Sequence, residues 1–159
     1  MILLRYLDAN CLVKLVIEER DSVELKERFF QCGGVYATTV FCFYEALSVL
    51  KLKWMGKKRS DNISEEEYLA ACEELCAMVE DDNIQLEKIS VSDRDSFNES
   101  VRLVSEYKID LSDAFQLVTL KRGMFARLDA GCPVLISEDE ELVKAARKEG
   151  LHACSIRSL

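Results

Sequence analysis

Four acidic residues, Asp8, Glu45, Asp113 and Asp139, carry the chemistry this sequence suggests. Asp8 directly follows the apolar run 3–7, so a strand there would set its side chain at the strand's carboxyl end. It also suits a helix cap, since Asp ahead of Ala9-Asn10-Cys11 is a favoured N-cap. Glu45 is the only charge in GGVYATTVFCFYEALSVL, residues 33–50. A helix apolar nearly all round is largely buried, and a buried carboxylate is costly unless paired or bound to a cation. The alternative is a glutamate at the helix rim that reaches water or a lysine. Asp113 stands in IDLSDAFQLVTL, with Asp110 close by as a second carboxylate. An acid in a first helical turn is also favourable for dipole reasons alone. Asp139, in VLISEDEEL, follows another apolar strand and is again able to cap the next helix.

Each residue alone has an ordinary explanation, and the set points further. Two acids come from strand ends, and two from the first part of helices that begin at the same edge. Carboxylates gathered without a cation repel one another and raise each other's pKa. Mg²⁺ or Mn²⁺, which prefer oxygen ligands, remove that penalty. Such a centre suits hydrolysis of a phosphodiester. Other chemistries are poorly supplied. His152 is the single histidine and falls in the last expected strand, which argues against a histidine-pair ribonuclease. The seven cysteines form an odd, irregular set without a CxxC pair and read as reduced packing residues. Cys72 and Cys76, four apart on an expected helix, would make only half a zinc site.

The elements that would position these acids alternate strand and helix. Strands are expected at 3–7, 35–37, 84–89, 134–137 and 152–156. Helices are expected at 11–18 and 22–31, then from a cap at Thr38 or Thr39 to about 54. Further helices run from 64 to 80, from 92 to 107, from 112 through 120, and from 140 to 149, with Gly150 as the last stop. Ser64 with Glu67, and Ser92 with Asp95, have the spacing of capping boxes. This alternation favours a three-layer α/β/α sandwich with a mainly parallel central sheet, as one domain over 1–159. In such sheets ligands bind at the carboxyl ends of the strands, where the four acids fall.

The 159 residues carry a net charge of −8 and a pI near 4.8, which argues against nucleic-acid binding by a broadly basic surface. Cations held between carboxylates would reverse the local sign. Lys51, Lys53, Lys57, Lys58 and Arg59 form the strongest basic patch. The apolar N-terminal stretch is broken by Arg5, Asp8 and Lys14, too often for a membrane span, and has no secretory-signal pattern. A cytoplasmic protein is expected.

Four segments, YLDANCLVKLVIEE, TTVFCFYEAL, LSDAFQL and VLISEDEELVKAARKEGL, resemble PIN-domain proteins in order and spacing, in particular the VapC-like toxins of toxin–antitoxin pairs. The resemblance spans essentially the whole chain. It implies a parallel sheet flanked by helices, Mg²⁺ or Mn²⁺, and endonucleolytic cleavage of RNA. Carried over, Asp8, Glu45, Asp113 and Asp139 would be the catalytic, metal-binding acids, with Asp8 and Asp113 central on one or two ions. Asn10 and Ser137 would orient ligands or water, supported by Asp110. Hydrolysis would proceed by in-line attack of ion-activated water, leaving 5′-phosphate and 3′-hydroxyl ends. The Lys51 to Arg59 patch would contact RNA phosphates, unless it is only a solvated helix end. The implied partners are RNA, a second copy in a homodimer, and an antitoxin that inserts a peptide into the acidic site, with the apolar helix 40–54 as a surface. Two departures stand out: Ser137 replaces a common Thr, and KRGMFARLDAGCP is longer than in the shortest relatives.

The rivals are weaker. A haloacid-dehalogenase-like enzyme needs Asp-x-Asp after the first strand, and the chain has Asp8-Ala9-Asn10. A response-regulator receiver needs paired acids before that Asp and a late lysine, and neither is visible. A catalytically silent PIN-fold module acting through a protein or RNA partner remains the main alternative, against which the intact acids argue.

Overall fold

Leu4–Leu7, the apolar run ahead of Asp8, forms the central strand β1 of a five-stranded sheet. The computed structural model describes residues 4–31, 33–56, 62–90, 92–127 and 133–158. After β1 come α1 (Ala9–Val16), α2 (Ser22–Gln31), β2 (Val35–Thr39), α3 (Val40–Met55), α4 (Glu65–Glu80) and β3 (Ile84–Glu87). The chain continues through α5 (Arg94–Tyr107), α6 (Leu111–Arg122), β4 (Val134–Ile136), α7 (Glu140–Lys148) and β5 (His152–Cys154).

The strand order is β3-β2-β1-β4-β5, with every neighbouring pair parallel. Parallel neighbours need crossovers over a sheet face, and these are right-handed almost without exception. Steps from β1 to β3 therefore lay α1–α4 on one face, and the reversed steps to β4 and β5 lay α5–α7 on the other. Side chains alternate to serve both layers. Leu7 and Ile136 pack with Leu12, Leu25, Leu50 and Leu75; Tyr6 and Leu135 pack with Leu103, Leu117 and Leu142. The sandwich expected from the alternating pattern is the one found.

Local signals explain most boundaries. Ser64 and Glu67 close the expected capping box: Glu67 N–H donates to Ser64 Oγ at 3.1 Å, and Ser64 N–H donates to the Glu67 carboxylate at 2.7 Å. The second expected box does not form. Asp93, a stronger acceptor than Ser92, caps α5 by accepting from Ser96 N–H at 2.9 Å. The last strand ends at Cys154, and a 3-10 turn at Ile156–Ser158 replaces its expected tail. Gly150, with φ +78°, stops α7 in a backbone conformation that side chains disfavour. Five cysteines among the described residues, Cys11, Cys42, Cys72, Cys76 and Cys154, are free thiols. Among the described residues no helix is long and apolar enough to cross a membrane.

Helix α3 departs from its sequence expectation. Only Cys42, Ala46 and Leu50, one row at four-residue spacing, are fully buried; Tyr44, Leu52 and Met55 are exposed. Glu45 lies on the exposed side, at the helix rim, rather than in the core. Uniform apolarity hid the single buried row. Helix α6 is anchored firmly at its far end: Glu149 accepts hydrogen bonds at 2.8 Å from each of Arg102, Lys121 and Tyr107, tying α5, α6 and α7 together.

Candidate functional site

Strand order reverses at β1, whose neighbours β2 and β4 are reached in opposite directions, so a crevice opens beyond the carboxyl ends of β1 and β4. Asp8 and Ser137 are the first residues past those two ends. The strands pair through Leu7 and Ile136, and Asp8 N–H continues the ladder to Ile136 C=O at 3.1 Å. Ser137 Oγ–H donates to Asp8 Oδ2 at 2.6 Å across the crevice, while Oδ1 accepts from Ala9 N–H at 2.7 Å. Both side chains are buried. Burial, ahead of the charge on Asp139, raises the Asp8 pKa in spite of these two donors. Each Asp8 oxygen holds one donor and keeps a lone pair.

The remaining acids approach from three elements. Asp139 caps α7, accepting from Glu141 and Leu142 N–H at 2.8 and 3.0 Å, and its own N–H donates to Ser137 Oγ at 3.0 Å. Capping and membership of the acidic cluster are thus compatible roles for one side chain. Asp113, in the first turn of α6, is half-buried. Burial first, then the charges of Asp8, Glu45, Asp139 and Asp110, push its carboxyl up to about 7. Glu45 is raised by burial and then by Asp8 and Asp110, with a Ser112 hydrogen bond acting the other way. Asp110 occupies the N-cap position of α6 yet makes no side-chain cap, leaving its carboxylate to the cluster.

The structure thus gathers Asp8, Glu45, Asp110, Asp113 and Asp139 into one electrostatic neighbourhood. Among the described residues none of the five forms an ion pair. Nor, among the described residues, is any group of three Asp, Glu, His or Cys side chains drawn tightly enough to grip an ion as it stands. Ligation would require Glu45 and Asp139, both exposed, to swing towards Asp8 and Asp113. The donor set nevertheless fits a hard divalent ion: it is all oxygen, and no lysine or arginine among the described residues pairs with it.

The other sequence candidates fall at varied distances from this centre. Ser137 is in it. Asn10 is exposed on the first turn of α1, one residue past Ala9, whose N–H donates to the Asp8 carboxylate. Lys51 is exposed on α3, whereas Lys53 is engaged by Glu19 at 2.5 Å. Lys57, Lys58 and Arg59 lie outside the described residues.

Three residues that sequence reasoning passed over adjoin the site. Ser112 stands close enough to Glu45 to offset part of the rise in its pKa, a role hidden by its position at a helix start. Lys14, buried on α1, lies 3.2 Å from Glu138 and donates to Arg20 C=O at 2.5 Å, pinning the turn that carries Ser137 and Asp139. A lone lysine in the apolar run LVKLV was the available signal. Gln116, one turn beyond Asp113, is wholly buried, and among the described residues neither end of its amide has a hydrogen-bond partner.

No protein-family model matches the chain. No curated protein matches it either. Solved structures do resemble it. PAE2754 from Pyrobaculum aerophilum is similar with a TM-score of 0.64 and 15% identity, over 98% of this chain and 91% of that one. VapBC-1 from nontypeable Haemophilus influenzae is similar with a TM-score of 0.59 and 12% identity, over 98% and 99%. At these identities the likeness concerns architecture: the fold is PIN-like, with a parallel five-stranded sheet between helical layers.

Proposed function

We propose that the protein is a Mg²⁺- or Mn²⁺-dependent endoribonuclease whose centre is built from Asp8, Glu45, Asp113 and Asp139, and that it acts as the toxin of a toxin–antitoxin pair. The observation that carries this reading is the group of mutually repelling carboxylates at the crevice between β1 and β4, none of them ion-paired among the described residues. A fold has no use for such repulsion, and a hydrolytic centre that binds cations does. The likeness to VapBC-1 supports the toxin label and an antitoxin partner, and the acidic cluster suits an inserted basic side chain.

When bound, the divalent ion supplies charge neutralisation and activates water for attack on phosphorus. The chain's own groups hold and orient. Asp8 offers one free lone pair on each oxygen and is fixed by Ser137 and Ala9. Asp113 takes a central place opposite it. Glu45, beside Ser112, and Asp139, on its α7 cap, would turn in from the rim to complete the ligand set. Asn10 and Asp110 line the approach as polar supports. The products carry 5′-phosphate and 3′-hydroxyl ends, and no side-chain nucleophile takes part. Lys51, with Lys57, Lys58 and Arg59, supplies outer phosphate contacts, and a second copy of the chain completes a homodimer.

The open spacing of the acids favours one alternative, a catalytically silent module that acts through a partner. RNA cleavage by the purified protein separates the two. The nuclease reading expects Mg²⁺- or Mn²⁺-dependent cleavage of tRNA or rRNA that EDTA stops and Asp8→Asn abolishes. Equal cleavage by Asp8→Asn, or none by the wild type with either ion, would overturn it.

A further inference from the structure

An acidic catalytic centre repels the polyanion it cuts, so some nearby cation must hold the strand in place. Among the described residues a groove of about 270 Å³ begins where the acidic centre ends, sharing Ser137 with it. It runs between α7 and the segment after β5, along the carboxyl edge of the sheet. Its far wall carries the hydroxyls of Ser155 and Ser158, and its near wall carries Lys144 and Arg147.

The charges in the groove are not equally committed. Glu138 is held by Lys14 at 3.2 Å. Lys144 lies 2.8 Å from Glu141 and 3.7 Å from Glu140, on a solvent-exposed face where such pairs are weak. Glu140 itself is 86% exposed and points its charge into water. Arg147 differs from all of these. Its Nε–H donates to Ala153 C=O at 3.0 Å, which fixes the guanidinium plane, and both terminal nitrogens have no partner among the described residues. A guanidinium oriented through one nitrogen with two free forks is arranged for a phosphate.

We propose that the α7–β5 groove, through Arg147, Lys144 and the hydroxyls of Ser155 and Ser158, seats a backbone phosphate of the RNA strand next to the one being cut. This rests on the ribonuclease reading for its substrate, and it assigns the strand a direction: away from Asp8, past Ser137, and along α7. The contact is to the backbone, so it is independent of base sequence.

The test is binding of a 12-nucleotide single-stranded RNA, followed by fluorescence anisotropy with Ca²⁺ in place of Mg²⁺ so that binding is read without turnover. Arg147→Gln is expected to weaken binding roughly five- to ten-fold at low salt. It should also flatten the slope of log K against log salt by about 0.7, the loss of one single-strand phosphate contact. Lys144→Gln, on an exposed site that does not hold the fold, should move both readouts in the same direction and by less. Lys148→Gln, which removes the neighbouring charge over the Tyr107 ring, should leave the slope unchanged. Arg147→Gln and Lys144→Gln proteins that melt like the wild type and bind with its affinity and slope would overturn the groove. Binding of inorganic phosphate to the RNA-free protein in Ca²⁺-free buffer, lost in Arg147→Gln while RNA affinity and slope stay those of the wild type, would likewise overturn it and assign the groove to the free anion. The two readings fail separately. Loss of binding in Arg147→Gln without any nuclease activity in the wild type keeps the groove and removes the ribonuclease. Cleavage with unchanged binding in Arg147→Gln does the reverse.

Discussion

Replacing Asp113 with Asn should make the metal-free protein more stable at pH 8 while removing its response to divalent ions. The Asp113 carboxyl stands at about 7 in the fold against an ordinary 3.8. A folded pKa above the unfolded one means stability that is complete below pH 3.8 and is lost as pH rises through 7. At pH 8 the ionised side chain is therefore a liability. A shift of about three units at 1.36 kcal/mol each sets a ceiling near 4 kcal/mol. Solvent reaches the half-buried side chain, and Asn forfeits a favourable first-turn charge, so the expected gain is about 2 kcal/mol. For a chain of this size that is a rise in Tm of roughly 4–8 °C. Thermal unfolding in EDTA measures it directly. At pH 3, where Asp113 carries its proton in the folded and unfolded chain alike, the two proteins should melt together to within about 2 °C, and the gap should open steadily from pH 4 to pH 7. Added Mn²⁺ at a hundred-fold excess over its dissociation constant should stabilise the wild type by about 2.7 kcal/mol and leave Asp113→Asn nearly unmoved. An Asp113→Asn protein less stable than the wild type at pH 8 in EDTA would refute the reasoning, because Asp113 would then be an integrated structural group.

Other perturbations test the supports around the centre. Ser137→Ala removes the charge-assisted bond to Asp8 and the acceptor for Asp139 N–H, and should lower stability by about 2 kcal/mol. It should also push the Asp8 pKa further up, so that Mn²⁺ affinity by calorimetry falls more steeply with decreasing pH than in the wild type; Ser137→Thr should restore both. Lys14→Met leaves Glu138 and Glu19 without their buried partner. Because those side chains are 30% and 25% exposed, the loss should be about 1–3 kcal/mol in urea unfolding, with faster amide exchange at 137–139. Glu149 is driven to about 2: burial raises it, and the hydrogen bonds from Arg102, Lys121 and Tyr107 outweigh that. Its stabilisation is present above pH 4.5 and lost as pH falls through 2, so Glu149→Gln should cost about 2–3 kcal/mol at pH 7 and flatten the acid-unfolding limb in that window.

The layer order of the fold was legible because strands and helices differ in period and alternate along the chain. Asp8 could be located because an acid directly after an apolar run sits at a strand's end, whereas Asp139 lies three residues past β4 and was placed by its fitness to cap α7. The expectation that failed for Glu45 is its burial. Its isolation in an apolar segment suggested burial, yet it is exposed at the rim of α3, and its link to the site is electrostatic. Lys14 and Ser112 were invisible for a different reason. Their partners Glu138 and Glu45 are distant in sequence, and no periodicity reports which long-range pairs a helix face will meet. The Arg147 groove likewise depends on how α7 lies against β5, a matter of packing that a linear pattern does not carry.

In the proposed centre Asp8 and Asp113 share one hard cation at the crevice between β1 and β4. Anomalous scattering from a crystal of the protein soaked in Mn²⁺ tests it most directly. The account predicts a manganese peak bound to oxygens of both Asp8 and Asp113 at about 2.1 Å, with Glu45 or Asp139 turned in to join them. Manganese bound elsewhere, or a well-ordered crevice that stays empty at saturating Mn²⁺, would contradict it.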